Sequence, residues 1–162
     1  MYEKILLPLD GSPTADAALP HASEMSKATG AEIVLLQVVD SVGRVIAQTT
    51  PAGFEPVSTG HVATDVAEQA VNAQRQAAEE YLGQVRDELG AAGVSSVSIR
   101  IVEGSPGAAI CAAAEQLGCD LVVMATHGRG GFGRAILGSV ADHVVRHSQH
   151  YAVLLVRPDK EE

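Results

Sequence analysis

Five short apolar runs constrain the fold of this chain more than any other sequence feature. They cover residues 4–9, 32–39, 97–102, 120–125 and 151–156. Runs of this length that are rich in Val, Ile and Leu are typical of strands. Those at 4–9, 32–39 and 120–125 lack a regular alternation of polar and apolar residues, which predicts strands buried on both faces. Polar or alanine-rich segments separate the runs, so the sequence predicts strands that alternate with helices.

Helix start and stop signals lie between the runs. Ser12 and Pro13 are a capping residue and a first-turn proline, and the helix that they begin is predicted to end at Gly30. Pro20 falls inside this helix and lacks a backbone N–H, so a kink is expected there. Three further helices are predicted: one from residue 64 or 65 to residue 90 or 93, one over 107–117 and one over 139–147.

Residues 41–63 have a different character, because glycines and prolines interrupt them and they show no sustained period. They are predicted to form a long mobile loop inside a single domain that covers residues 1–162.

The alternation of strands and helices elsewhere predicts an α/β fold, with a parallel sheet, right-handed crossovers and helices on both faces. In such sheets ligands bind beyond the carboxyl ends of the strands, where the strand order reverses.

The charge and the cysteines exclude several classes of protein. A net charge of −9 argues against binding along a nucleic-acid backbone, which needs clustered Lys and Arg, so any phosphate site must be local. Cys111 and Cys119 lie in apolar surroundings and are predicted to be buried free thiols, not a disulfide. The apolar runs are too short for a signal peptide or a membrane span, and a cytoplasmic location is expected.

The segment from residue 126 to residue 138 carries most of the chemical information. It leaves a predicted strand, contains Gly128, Gly130, Gly131 and Gly133, and leads into a helix. Glycines let the backbone approach a ligand closely, and a helix N-terminus offers unpaired N–H donors to an anion. Arg129 and Arg134 supply positive charge in the same segment. The pattern is compatible with a phosphate site and equally with a flexible turn, in which Ser139 caps the helix with Asp142 three residues on.

Two common nucleotide motifs are absent from the sequence. The P-loop needs a Gly-Lys-(Ser/Thr) sequence, which does not occur. The dinucleotide fingerprint needs three glycines after the first strand, where this chain has Asp10-Gly11-Ser12.

Several sequence blocks resemble the universal stress protein family, in the order that the family has them. They are KILLPLDGS, LLQVVD, DLVVMATHGRGG, LGSVADHVVRHS and VLLVRP. ATP-binding members of that family carry the motif Gly-x2-Gly-x9-Gly-(Ser/Thr). Gly128, Gly138 and Ser139 match it in spacing, whereas Ala125 stands in the place of the first glycine.

The resemblance implies a nucleotide site formed by several parts of the chain. Asp10 would accept hydrogen bonds from the adenine amino group or a ribose hydroxyl, Val38 and Met124 would enclose the base, and backbone amides would hold the phosphates. Purely structural roles stay open for the same residues, since Asp10 can cap its own turn and the two apolar side chains can be ordinary core. The full set of candidate residues is Pro8, Asp10, Val38, Met124, Ala125, His127, Gly128, Arg129, Gly138, Ser139 and Val140.

The resemblance also implies an architecture and a function. The expected fold is a five-stranded sheet of order 3-2-1-4-5, as in the adenine nucleotide alpha-hydrolase-like superfamily. The chain is expected to form a homodimer through its last strand, from Tyr151 to Val156. The expected function is that of a stress-response regulatory protein that binds ATP or AMP, either alone or together with Mg²⁺. A dedicated enzyme is not expected. Slow ATP hydrolysis stays open, but no general base for it is evident in the sequence.

Two rival functions and one metal site compete with this interpretation. An adenylating enzyme of the related pyrophosphatase or ligase group has a Ser-Gly-Gly-x-Asp-Ser-like loop after the first strand, which this chain lacks. A family member that binds no nucleotide, and acts through dimerisation and partner binding, is favoured only by Ala125. His143, His147 and His150 have a spacing that suits a metal, but no neighbouring Cys or carboxylate cluster supports one.

Overall fold

The computed structural model describes residues 1–49, 60–126 and 137–158. Its centre is a five-stranded sheet of order β3-β2-β1-β4-β5, in which every pair of neighbouring strands is parallel. The strands are β1 (Lys4–Pro8), β2 (Glu32–Val39), β3 (Val97–Glu103), β4 (Leu121–Ala125) and β5 (Ala152–Val156). The predicted fold class and strand order are therefore confirmed.

Six helices are described around the sheet. They are α1 (Pro13–Asp16), α2 (Leu19–Thr29), α3 (Val42–Thr49), α4 (Gly60–Ala91), α5 (Pro106–Gln116) and α6 (Ser139–His147). Of the described helices, none is both long enough and apolar enough to cross a membrane.

The core lies in two layers, one on each face of the sheet. Successive residues of a strand point to opposite faces, so Ile5 and Leu7 belong to one layer and Leu6 to the other. The first layer is closed by residues of α2 and α4, including Ala22, Leu82, Val85 and Leu89. The second is closed by residues of α5 and α6, including Ile110, Ala113, Ala141 and Val144. Burial on both faces explains why the three central strands, β1, β2 and β4, are apolar at most positions.

The first predicted helix is in fact two helices. Ser12 caps α1, because its side chain accepts the N–H of Ala15, and Gly30 ends α2 with a φ of 78°. Between them the chain is interrupted after Asp16, and Pro20 lies within the first two residues of α2. The prediction of one kinked helix was wrong because a proline is tolerated in the first turn of a helix, where its missing N–H costs nothing, so the chain starts a new helix there.

The predicted loop over residues 41–63 is also corrected in part. Residues 42–49 form α3, and α4 begins at Gly60 instead of residue 64 or 65. Val42, Val45 and Ile46 have the i, i+3, i+4 spacing of one helix face, they are half-buried, and α3 contacts α4. Their apolar face was overlooked because the glycines and prolines dominated the segment. Residues 50–59 lie outside the described part of the chain.

The two cysteines are free, as predicted. Cys119 is buried and Cys111 is half-buried. Burial raises the pKa of the Cys119 thiol to about 11, which keeps it protonated and unreactive at neutral pH.

Candidate functional site

A pocket of about 330 Å³ lies at the carboxyl ends of β1, β2 and β4. Pro8, Val38 and Ala125 line it from the strand ends, and Pro106 and Ser139 line it from the first turns of α5 and α6. β1 pairs with both β2 and β4, and the chain places β2 and β3 on one side of it and β4 and β5 on the other. The pocket is therefore at the point where the strand order reverses, where ligands bind in sheets of this type.

The pocket brings together all the candidate residues that the structure describes. These are Pro8, Asp10, Val38, Met124, Ala125, Gly138, Ser139 and Val140. They come from four separate parts of the chain, and only the fold makes them neighbours. The other candidates, His127, Gly128 and Arg129, lie outside the described residues.

Asp10 is held at the pocket by a tight turn after β1. The backbone N–H of Ser12 donates to Oδ1 of Asp10 at 2.9 Å, and Gly11 between them has a φ of 79°, a conformation that favours glycine. Asp10 is exposed. The structure thus shows the turn-capping role that the sequence left open. Because a carboxylate accepts several hydrogen bonds, this role leaves capacity for a ligand.

The floor of the pocket is apolar. Val38 on β2 and Met124 on β4 both belong to the core layer that faces α5 and α6, and Leu36 lies beside them in the lining. Met124 is buried and Val38 is half-buried. Both side chains are therefore part of the core at one end and part of the pocket surface at the other, so the two roles that the sequence left open coexist.

The first turn of α6 forms the opposite side of the pocket. Gly138 is the N-cap, with φ −60° and ψ 151°, and Ser139 is the first residue of the helix. The suggestion that Ser139 caps the helix with Asp142 was wrong, because Gly138 is the N-cap and no side chain of the described residues caps the helix. Asp142 instead accepts a hydrogen bond from Arg146 at 2.8 Å, which lowers the pKa of its carboxyl group. The N–H groups of a helix's first turn have no partner within the helix, so this end of α6 presents donors to the pocket.

Several lining residues were not singled out from the sequence. They are Leu9, Thr14, Ala15, Leu36, Pro106, Ile110, Thr126 and Ala141. A usable signal existed for one of them, since Ser105-Pro106 predicts a helix start. A helix that follows a strand of a parallel sheet begins at the carboxyl edge, which is where ligands bind.

The histidine spacing does not produce a metal centre in the described part of the chain. No three His, Cys, Asp or Glu residues lie close enough together there to hold an ion. His143 and His147 instead stack on each other, with ring centroids 4.1 Å apart.

Comparison with known proteins identifies the family. A sequence model described as the universal stress protein family matches residues 1–157. The chain belongs to the universal stress protein family. The blocks that carried the resemblance, from KILLPLDGS to VLLVRP, fall inside this match except for Pro158, the last residue of VLLVRP.

Individual universal stress proteins align over nearly the whole chain. Universal stress protein MJ0531 of Methanocaldococcus jannaschii is 31% identical over 162 residues, which are 100% of this chain and 86% of that protein. The solved structure of MJ0577, from the same organism, has a TM-score of 0.76 at 28% identity and covers 99% of each chain. A universal stress protein solved in complex with cAMP has a TM-score of 0.61 at 22% identity and covers 96% of this chain and 97% of its own.

Proposed function

We propose that this universal stress protein binds an adenine nucleotide, ATP or AMP, and acts as a stress-response regulatory protein. The observation that carries the proposal is the convergence of the eight described candidate residues on one pocket at the switch point of the sheet. The candidates were taken from the family resemblance, and the described ones line a single pocket of this chain.

The described walls suit the two ends of a nucleotide. Val38 and Met124 provide an apolar surface for the flat faces of a purine, and Asp10, at the end of β1, is an acceptor for an amino or hydroxyl group. On the other side, the first turn of α6 offers N–H donors and the positive end of a helix dipole, which favour phosphate. A mononucleotide also fits the scale of the pocket, whose volume lies within the range of small-molecule sites.

The fold neighbour solved with cAMP shows an adenine nucleotide on that protein. At 22% identity the likeness extends to the fold alone, so the proposal depends on the pocket of this chain.

One departure from the motif favours a second candidate function. Ala125 lies in the pocket lining, where the motif's first glycine would leave more space. A universal stress protein that binds no nucleotide and acts through dimerisation and partner binding is the alternative.

Calorimetry on the wild-type protein decides between the two candidates. Titration with ATP and with AMP should give saturable heat at one site per chain, and GTP should bind more weakly because its base presents a carbonyl instead of an amino group to Asp10. A parallel thermal melt should show stabilisation that grows with ATP concentration, as mass action requires for a ligand that binds only the folded state. Absence of both signals for ATP and AMP would overturn the proposed nucleotide binding and favour the alternative.

We also propose that the protein forms a homodimer through β5. This strand is terminal in the sheet and pairs with β4. Its residues Val153, Leu154 and Leu155 are only half-buried, and an apolar terminal strand favours pairing with another chain.

A further inference from the structure

Helices α5 and α6 together set the width of the pocket. They contact each other on the same face of the sheet, and both begin at the pocket, where Pro106 and Ile110 line it from α5 and Ser139 and Val140 from α6. Any change in the distance between their first turns therefore changes the space available to a ligand.

Gly107, in the first turn of α5, lies directly against His143 of α6. A Cβ atom placed on Gly107 would lie 2.8 Å from Cγ of His143 and 2.9 Å from its Cβ and Cδ2, far inside van der Waals contact. Gly107 is buried and is not among the glycines with positive φ. Its backbone does not require glycine, so the requirement comes from the side chain of His143, which occupies the space.

The ring of His143 also contacts His147. The ring of His147 stacks on it at 4.1 Å between centroids and 20° between planes. Nδ1 of His147 lies 2.7 Å from the carbonyl oxygen of His143, and as the N–H tautomer it donates to that oxygen. His143 thus contacts both the backbone of Gly107 and the ring of His147.

We propose that His143 is a positioning residue for the ligand pocket: its ring, seated against Gly107, fixes the separation between the first turns of α5 and α6. His143 itself is absent from the described pocket lining, so it acts through the helices. The inference uses the proposed nucleotide only as a probe of pocket width.

The proposal can be tested with a double-mutant cycle, in which the affinity for ATP is measured for the wild type, the single variants and the double variant. Gly107→Ala should push the two first turns apart and weaken ATP binding about ten-fold, the loss that one misplaced hydrogen bond to a charged group produces. Gly107→Ala combined with His143→Ala should return the affinity to within about three-fold of the wild type, because the second change removes the obstructing ring. An affinity that stays low in the double variant would overturn the proposal.

Gly83→Ala is the matched control. Gly83 is also inside a helix, α4, and a Cβ there meets nothing within 4 Å. Alanine is a better helix former than glycine, so this control should raise the melting temperature and leave ATP affinity unchanged. Gly107→Ala should lower the melting temperature despite the same gain in propensity, and a rise equal to that of the control would contradict the close contact.

If the wild-type protein binds no ATP, the proposed function is overturned, but the positioning role of His143 can still be tested with the same variants. The backbone amide NMR signals of Ser139 and Val140 then report the position of the first turn of α6. The chemical shifts of these signals should change in Gly107→Ala and return to the wild-type values in the double variant. Chemical shifts that do not change in Gly107→Ala would overturn the positioning role.

If Gly107→Ala does not fold, His143→Ala and the double variant provide the comparison. The two should give similar Ser139 and Val140 signals, and a large difference between them would refute the proposal.

Discussion

At the scale of single residues, Asp10 combines a structural contact with a place in the pocket. Oδ1 accepts the N–H of Ser12, which shapes the turn into α1. The same carboxylate is exposed at the pocket. A substitution therefore has two separable consequences, one for the turn and one for the ligand.

Asp10→Ala should weaken ATP binding about ten-fold or more, since a hydrogen bond to a charged group contributes about 1.5–3 kcal/mol. Asp10→Asn keeps an oxygen for the N–H of Ser12 and should preserve the melting temperature while still weakening binding. Asp87→Ala is the control, because Asp87 is an exposed carboxylate on α4 whose described partner is the neighbouring Arg86. Calorimetry that gives the same affinity for folded Asp10→Ala and for wild type would remove Asp10 from the site.

At the scale of elements, a side-chain hydrogen bond joins α1 to the long helix α4. The hydroxyl of Tyr81 donates a short hydrogen bond to Oδ1 of Asp16. Burial, followed by the bond to Asp16 and its charge, raises the pKa of Tyr81 far above its ordinary value. The neighbouring residues Ser12, Thr14 and Ala15 line the pocket, so this contact also supports one of its walls.

The raised pKa of Tyr81 makes this contact sensitive to alkali. A phenol whose pKa is higher in the folded state contributes stability that is fully present below the unfolded pKa of about 10 and is lost as pH rises toward the folded value. Tyr81→Phe should therefore lower the free energy of unfolding by about 1 kcal/mol at pH 8. The difference from wild type should shrink above about pH 10, as measured by urea denaturation. If the difference in the free energy of unfolding stays constant up to pH 11, the protonated hydroxyl of Tyr81 does not stabilise the fold through its hydrogen bond to Asp16.

At the scale of the whole molecule, the outer edge of β5 decides whether two chains can pair. Ala152 donates its N–H to Asp120, and Val156 accepts the N–H of Thr126. In a parallel strand the groups of successive residues point to alternate sides, so residues 152, 154 and 156 bond to β4. The N–H groups of Val153 and Leu155 therefore point away from β4, toward a partner strand.

Val153→Pro should split the proposed dimer and leave the β4–β5 pairing intact, because proline removes only an outward N–H. Leu154→Pro should instead destabilise the subunit, since its N–H points to β4. Val153→Ala controls for the lost side chain and should remain dimeric. Light scattering at micromolar concentration is the measurement, and a monomeric wild-type protein would refute pairing through β5.

The strands and most helix ends could be predicted from sequence because their signals are local. The residues of β2 and α6 match their predicted bounds, and Gly30 ends α2 as expected. A buried parallel strand must be apolar at nearly every position, and a helix end is marked within a few residues of the chain. The candidate residues of the pocket followed from the resemblance, which located strand ends and the start of α6.

What only the tertiary structure decided are relations between residues that are distant in sequence. The sequence shows Pro20 and the apolar face of α3, but not that Pro20 lies in the first turn of a second helix or that α4 packs against α3. It shows Gly107 and His143 without their close contact, and β5 without its outward N–H groups. Each of these depends on distances set when the two helical layers pack on the sheet, and packing joins residues that no local pattern connects.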